Sequence, residues 1–366
     1  MTTTDSLTTE LSARLAQAIE ARGGVIGFDE FMAQALYTPG LGYYANDLRK
    51  LGLMPGSGSD FVTAPEMTPL FGQALAQQVR EALTRTGTTE VWEFGAGSGA
   101  LAAQLLGALG DSITRYTIVD ISSSLRSRQQ QTLAAFGEKV QWASSLPPTM
   151  QGVVVGNEVL DAMPVKLLVR KQGVWHERGV ALGTASPVHF VWRDAPTDLR
   201  PPIEPEGPHD YLTEIHPQAQ AFVRTLAAHL TRGAAFLIDY GFPEREYYHP
   251  QRHMGTVMCH QAHQSDPDPL TDVGRKDITA HVDFSGVALA AQDAGLHVLG
   301  YCTQARFLMN CGLLPLMEQA SLPERANAHK LIMEHEMGEL FKVIALGAGE
   351  PWIPQGFTQG DRTHTL

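Results

Sequence analysis

The spacing of apolar and polar positions divides the chain into helical and extended segments. Residues 7–21 carry Leu11, Leu15, Ala18 and Ile19 on one helical face, and further helices are predicted over 28–36 and 67–83. Between the last two, residues 37–59 are rich in Gly, Pro and Tyr and read as an ordered loop. A short apolar strand at 90–94 leads into Leu101, Leu105, Leu106 and Leu109 at helical spacing. Strands at 116–119, 140–142 and 152–155 follow, with a helix over 125–136 between the first two. Apolar strands alternating with helices predict a parallel sheet covered on both faces. The rhythm breaks at 166–193, where three alternating segments predict an antiparallel insertion, and 196–208 is Pro-rich and expected at the surface. A helix over 218–230 capped by Gly233, a strand at 234–238, an irregular segment over 242–277, a helix over 284–294 and a strand at 341–346 complete the pattern.

The junction at 90–99, E-V-W-E-F-G-A-G-S-G, is the most specific point in that pattern. A strand ending in Glu93 runs into Gly95, Gly97 and Gly99, and the helix after them turns its free N–H groups toward the loop. Glycine is needed where a backbone must approach a ligand closely or adopt positive φ. The second strand ends in Asp120, about 20 residues beyond the last glycine, the usual place for a carboxylate that binds a ribose diol. Gly95, Gly97 and Ala100 also satisfy a dinucleotide pattern, but a pyrophosphate there would lie beside the like charge of Glu93. S-adenosylmethionine carries an ammonium and a sulfonium, which Glu93 stabilises. The bland alternative is a glycine-rich turn over a buried Glu93.

Composition narrows the class. With 366 residues, 43% of them hydrophobic, the chain can bury a large core as one elaborated domain or two. A formal charge of -12 argues against nucleic acid as main partner and leaves room for a basic peptide. Cys259, Cys302 and Cys311 are few and odd in number, which predicts a reducing compartment with no disulfide and no zinc site, and the run from Cys259 to His263 is expected to be a loop without metal. No apolar run reaches membrane-spanning length, and the first residues carry Asp5 and no apolar core, so the cytoplasm is the default compartment.

Candidate chemistry on the acceptor side gathers in 153–165, V-V-V-G-N-E-V-L-D-A-M-P-V. Ligands of open parallel sheets bind beyond the carboxyl ends of strands, where Asn157, Glu158 and Asp161 lie. A helix N-cap with acids in its first turn explains the same residues without any ligand. His281 and Glu66, like Asp60, could act in the site or hold local loops, and Trp142 is expected in the core unless it flanks an adenine.

Taken together, D-F-V-T-A-P-E at 60–66 with Phe71-Gly72, the glycine loop, N-E-V-L-D-A-M-P-V, R-G-A-A-F-L-I-D-Y-G at 232–241, D-I-T-A-H-V-D-F at 277–284 and M-G-E-L-F-K-V at 337–343 resemble the MidA family. The family consists of S-adenosylmethionine-dependent methyltransferases related to the mitochondrial complex I assembly factor that methylates arginine in a core subunit. This chain departs from the family at Ser59, where Gly is usual, at Ala64, where Ser is usual, and at Asp120, often Glu. The resemblance implies an α/β fold of the class I, Rossmann-like type with a seven-stranded sheet. Residues 1–85 would form a helical and loop region over the cofactor site, 86–350 the methyltransferase domain with inserted β-rich and loop segments at about 166–210 and 242–280, and 351–366 a polar tail. It implies S-adenosyl-L-methionine as cofactor, bound through Glu93, Gly95, Ala96, Gly97, Gly99, Asp120, Asn157 and Glu66. It implies an arginine-bearing protein acceptor, such as a respiratory complex subunit, addressed by Glu158, Asp161 and His281. A planar, permanently charged guanidinium suits facing carboxylates, each contact contributing on the order of 4 kcal/mol at about 4 Å and an effective dielectric near 20, before desolvation. A non-enzymatic assembly factor, an NAD-dependent oxidoreductase and a small-molecule methyltransferase stay open as rivals.

Overall fold

The protein is described by a computed structural model covering residues 3–46, 63–120, 122–184 and 188–366. Asp60 and most of the Gly- and Pro-rich loop before it lie outside the described residues.

A mixed α/β architecture surrounds a mostly parallel central sheet. In order across it run His297–Thr303, Phe341–Ala348, Leu230–Phe242, Met150–Asn157, Glu90–Phe94, Arg115–Val119 and Val140–Ala143. The five from Leu230–Phe242 to Val140–Ala143 are parallel, and the first two add an antiparallel edge. The two-residue strand Val282–Asp283 joins the end of Leu230–Phe242 as an eighth member. Period-two alternation splits the sheet's side chains between two cores. Val91, Val153, Val155 and Phe236 cluster with helices Leu70–Thr86 and Ala100–Leu109, while Trp92, Val154, Ala235 and Leu237 cluster with Pro217–His229 and Phe284–Asp293. Each such side chain buried contributes about 1.5–3 kcal/mol, so the sheet centre fixes the strand ends firmly.

After Val140–Ala143 the chain crosses to the other side of Glu90–Phe94 and enters as Met150–Asn157. That reversal is the topological switch point, and a crevice opens beyond it. At the opposite, amino-terminal ends, close approach of the strands depends on glycine. A Cβ on Gly152 would come within 2.1 Å of the Glu90 carbonyl oxygen, and one on Gly233 within 1.8 Å of that of Gly152. Gly233 is therefore a strand residue with φ 143° and not a helix cap. The preceding helix ends at His229 with Leu230 as its cap.

The insertion at 166–215 is a second, antiparallel sheet of Lys166–Lys171, Val174–Leu182, Phe190–Pro196 and Tyr211–Ile215, and the N-terminal strand Val25–Gly27 completes it. Met258–Gln261, Gln264–Asp266 and Asp277–Thr279 form a third sheet. Leu11, Leu15 and Ile19 of the first helix, with Phe28, Phe31 and Met32 of the second, share a core with Leu167, Val180, Phe190, Cys259 and Ile278. The expected N-terminal region is thus divided by its packing: its first helices join the insertions, while Leu70–Thr86 belongs to the central core. The three cysteines are free and buried. No helix of the described residues is long and apolar enough to cross a membrane.

The polar tail expected at 351–366 is instead folded onto the sheet edge. Phe357 is buried against Phe307 with ring centroids 5.4 Å apart. The Tyr301 N–H donates to Asp361 at 3.0 Å and the Arg362 N–H to the Tyr301 carbonyl at 2.6 Å, so the tail pairs with the outermost strand. The helices Gln304–Asn310, Leu313–Gln319 and Leu322–Ile332, which the periodicity did not predict, pack beside it.

Candidate functional site

A cavity of about 1170 Å³ opens at the switch point. At one end the strand Glu90–Phe94 delivers Glu93, 2% exposed, whose carboxylate accepts a 2.7 Å hydrogen bond from the Tyr116 hydroxyl. Burial, with a smaller contribution from the Asp120 charge, pushes the Glu93 pKa up to about 8 against the opposing Tyr116 bond. A carboxyl under that stress is stabilised by a cation and destabilised by an anion. Gly95, Gly97 and Gly99 take φ of 64°, 52° and 84°, and a Cβ on Gly95 would sit 3.0 Å from the Val159 methyl. Gly95, Ala96 and Gly97 line the cavity; Gly99 does not, and serves as the left-handed residue that starts the helix Ala100–Leu109.

Asp120 ends the strand Arg115–Val119 at the same rim. Its Oδ1 accepts from the Ser122 N–H at 2.9 Å and its Oδ2 from Gln129 Nε2 at 2.8 Å, which holds the carboxylate at the rim. Gln129 also donates to the Gly97 carbonyl at 3.1 Å and accepts from Trp142 Nε1 at 2.9 Å. Trp142 stands behind Gln129 and does not line the cavity. Glu66 also lines the cavity, and its carboxylate accepts from the hydroxyl of Ser98 in the glycine loop. Buried carboxylate, glycine cradle and strand-end acid suit a cationic nucleoside and disfavour a pyrophosphate.

At the other end, Met150–Asn157 does not run into a helix. Residues 158–165 form an irregular turn, with Glu158 at φ 52°. The turn is pinned by Asp239, whose Oδ2 accepts from the N–H groups of Val159, Leu160 and Asp161 at 3.1, 2.8 and 3.2 Å. The N-cap explanation of Asn157, Glu158 and Asp161 therefore has no helix to cap. Burial, then the Asp161 charge, raises the Glu158 pKa to about 8, although Asn157 donates to it at 2.9 Å. Asp161 is also raised by burial, and Tyr240 donates to its Oδ2 at 2.7 Å. Among the described residues, Glu93, Glu158, Asp161 and Asp239 have no Lys or Arg ion-pair partner. Buried Asn157 Oδ1, Asp161 Oδ1 and His281 Nδ1 have no hydrogen-bond partner there either, and all three residues line the cavity. His281 packs edge-on against Tyr240 at 5.3 Å, and burial lowers its pKa to about 4, so it is neutral.

Several lining or supporting residues were not picked out by the sequence. Asp239 follows Ile238, the residue that pairs with Asn157 where the parallel ladder ends, so the strand-end rule reaches it equally well. Gln129 falls at four-residue spacing between Leu125 and Leu133, a polar residue on an apolar stripe, and that was its signal. Tyr37, Tyr44 and Asp277 come from distant segments and carry no local mark.

A family model described as "Putative S-adenosyl-L-methionine-dependent methyltransferase" matches residues 71–302. The protein arginine methyltransferase NDUFAF7, mitochondrial, of Danio rerio is 28% identical over 385 residues, covering 93% of this chain and 87% of its own. The Homo sapiens protein of that name is 26% identical, with 93% and 82% covered. A crystal structure from Burkholderia thailandensis, bound to S-adenosyl-homocysteine, superposes with a TM-score of 0.95 at 46% identity and covers 100% of this chain and 99% of its own. The cytoplasmic expectation is corrected by these findings: the curated relatives are mitochondrial by name. Composition and the character of the first residues were too weak a basis for a compartment.

Proposed function

Because this chain belongs to the family of S-adenosyl-L-methionine-dependent methyltransferases, we propose that its acceptor is an arginine on a protein substrate, methylated at a guanidinium nitrogen. One observation carries this reading: the end of the cavity away from the glycine loop is lined by half-buried Glu158 and buried Asp161, with buried Asp239 bonded to the turn that bears them, none ion-paired with Lys or Arg among the described residues. A neutral small-molecule acceptor gives those carboxyls nothing, whereas a guanidinium stabilises their ionised forms. The curated relatives, named as protein arginine methyltransferases, support the same acceptor. We read the seven strands along the main sheet path as the class I, Rossmann-like arrangement.

When bound, the cofactor supplies a methyl group on a sulfonium. In our reading Glu93 faces the cofactor ammonium and Asp120, aimed by Gln129, accepts from the ribose hydroxyls, while the backbone of Gly95 to Gly97 allows close approach. Asn157 and Glu66 complete that end. Glu158 accepts N–H bonds from the guanidinium and orients one nitrogen toward the methyl group. A new N–C bond forms as the S–C bond breaks, and the nitrogen's proton passes to Glu158, whose raised proton affinity suits it to that task. Asp161, fixed by Tyr240, steadies the charge from the side, and neutral His281 adds no opposing cation.

The test is transfer of labelled methyl from S-adenosylmethionine to a lysate of the protein's own source, with labelled residues identified by mass spectrometry. Label on arginine supports the reading. Label on small molecules or on other residues overturns it, and cofactor binding without any transfer points to a scaffold that holds a partner subunit.

A further inference from the structure

The acceptor end has a second acidic wall. Asp277 begins the strand Asp277–Thr279 of the small third sheet, is 3% exposed, and lines the cavity together with Glu158 and Asp161. Tyr44 donates to both of its oxygens, at 2.8 and 2.9 Å, which fixes the plane of the carboxylate. The Tyr44 ring stacks on Tyr37, centroids 5.7 Å apart and planes 20° apart, and the Tyr37 hydroxyl donates to the Ala162 carbonyl at 2.8 Å. From the opposite direction, the Ala280 N–H donates to the Asp161 carbonyl at 2.9 Å. A continuous set of contacts therefore locks Asp277 in place relative to the turn that bears Glu158 and Asp161, although three separate segments supply the parts.

We infer that Asp277 is a specificity-determining residue: it grips a second edge of the acceptor guanidinium from a segment separate from the turn that bears Glu158, with Tyr44 as its positioning residue. This rests on the arginine reading above and adds to it. A guanidinium presents five N–H donors in a planar fork and can bridge two separate carboxylates along two edges. An ammonium can also touch two carboxylates, as Lys166 does with Asp29 and Glu177, but it is a compact point charge without the planar fork that matches two fixed walls along two edges. Asp277 thus favours arginine over lysine by adding a carboxylate from a separate segment to the two that the strand-end turn supplies. The close coupling of the two walls is also visible in Glu158, where Asp277 adds to the charges that favour the protonated carboxyl.

The experiment uses the full chain saturated with S-adenosylhomocysteine and titrated calorimetrically with acetyl-arginine-methylamide and acetyl-lysine-methylamide. The unmodified protein should bind the arginine amide on the order of tenfold or more tightly than the lysine amide, the scale for one charge-assisted contact. Asp277→Asn keeps the Tyr44 contact to one oxygen and should weaken arginine-amide binding by about tenfold while leaving the lysine amide and S-adenosylhomocysteine nearly unaffected. Tyr44→Phe, which keeps the ring stack, should give a smaller loss of roughly threefold in the same ratio and no change in cofactor affinity. Equal arginine-amide affinity in Asp277→Asn overturns the inference. If that variant fails to fold or to bind S-adenosylhomocysteine, an unchanged arginine-to-lysine ratio in Tyr44→Phe overturns it instead. Absence of arginine-amide binding by the unmodified protein, with S-adenosylhomocysteine bound, sinks the arginine reading itself and is distinguishable from both.

Discussion

At the glycine-loop end of the cavity, polar clasps close between residues near one another in the chain: Gln129 reaches Asp120 across 9 positions, and Tyr116 reaches Glu93 across 23. At the acceptor end the corresponding clasps join Asp161 to Tyr240 across 79 positions, Tyr37 to Ala162 across 125 and Tyr44 to Asp277 across 233. The first end is assembled by neighbouring strands and the helix between them, so it is set once the sheet forms. The second exists only when the N-terminal helices and both insertions have docked. Cofactor affinity should therefore tolerate damage to the docked layer, while methyl transfer should not.

The sharpest test of that division is Glu158→Gln. The substitution keeps shape and the Asn157 contact but removes the charge, so transfer should fall on the order of a hundredfold or more, the scale for a lost preorganised electrostatic group. Affinity for S-adenosylmethionine and melting temperature should change little. Single-turnover methylation and calorimetry on the same variant decide the matter; normal turnover would move the acceptor role to Asp161 and His281.

Asp120→Ala probes the opposite end. Loss of an acid aimed at hydroxyl donors should weaken S-adenosylmethionine binding by roughly 1.5–3 kcal/mol and leave the fold intact. Unchanged affinity by calorimetry would reduce Asp120 to a strand-end acid tied to Ser122 and Gln129. A smaller step is expected for Gln129→Leu, which fits the apolar stripe of Leu125 and Leu133 but frees the Asp120 carboxylate to rotate. That variant should lose about 1 kcal/mol of cofactor affinity, close to the contribution of one neutral hydrogen bond. If Gln129→Leu binds as tightly as the unmodified protein, the aiming role of Gln129 falls.

The same division explains what could be read from the chain alone. The Glu90–Phe94 strand, the glycines after it and the acid at 120 lie within one short stretch whose period changes from two to 3.6, and local pattern suffices to order them. The Tyr44–Asp277 pair leaves no trace in local spacing, because its meaning arises from docking of remote segments. Two misreadings have the same origin. Gly233 follows a helix, which suggests a cap, yet its reason is the Gly152 carbonyl on a strand far away in sequence. The residues after 350 are polar and patternless, yet edge pairing at Tyr301 and the burial of Phe357 hold them.

The weakest expected effect tests both ends at once through pH. Glu93 and Glu158 each have a folded pKa near 8 against about 4.5 when unfolded, so the folded state holds protons that the unfolded state has released. Where the folded state binds more protons, stability falls as pH rises, and this contribution, full below the unfolded value, disappears through about pH 8. Below about pH 6.5 the buried histidines work in the opposite sense, since His281 and His216 are pushed down to about 4 and about 3 and gain stability as pH rises. Lys342, lowered to about 8, acts above that value. The window from about pH 6.5 to 8 therefore isolates the carboxyls, and the melting temperature of the ligand-free protein should drop there by a few degrees. Saturating S-adenosylmethionine should flatten part of the slope, because its cationic groups stabilise ionised Glu93, and Glu93→Gln should flatten a similar part without ligand. The Glu158 share should persist in both cases and disappear in Glu158→Gln. A melting temperature that is constant or rising across that window would show that the acids are ionised in the folded protein, and with it would go the charge argument for a cationic acceptor.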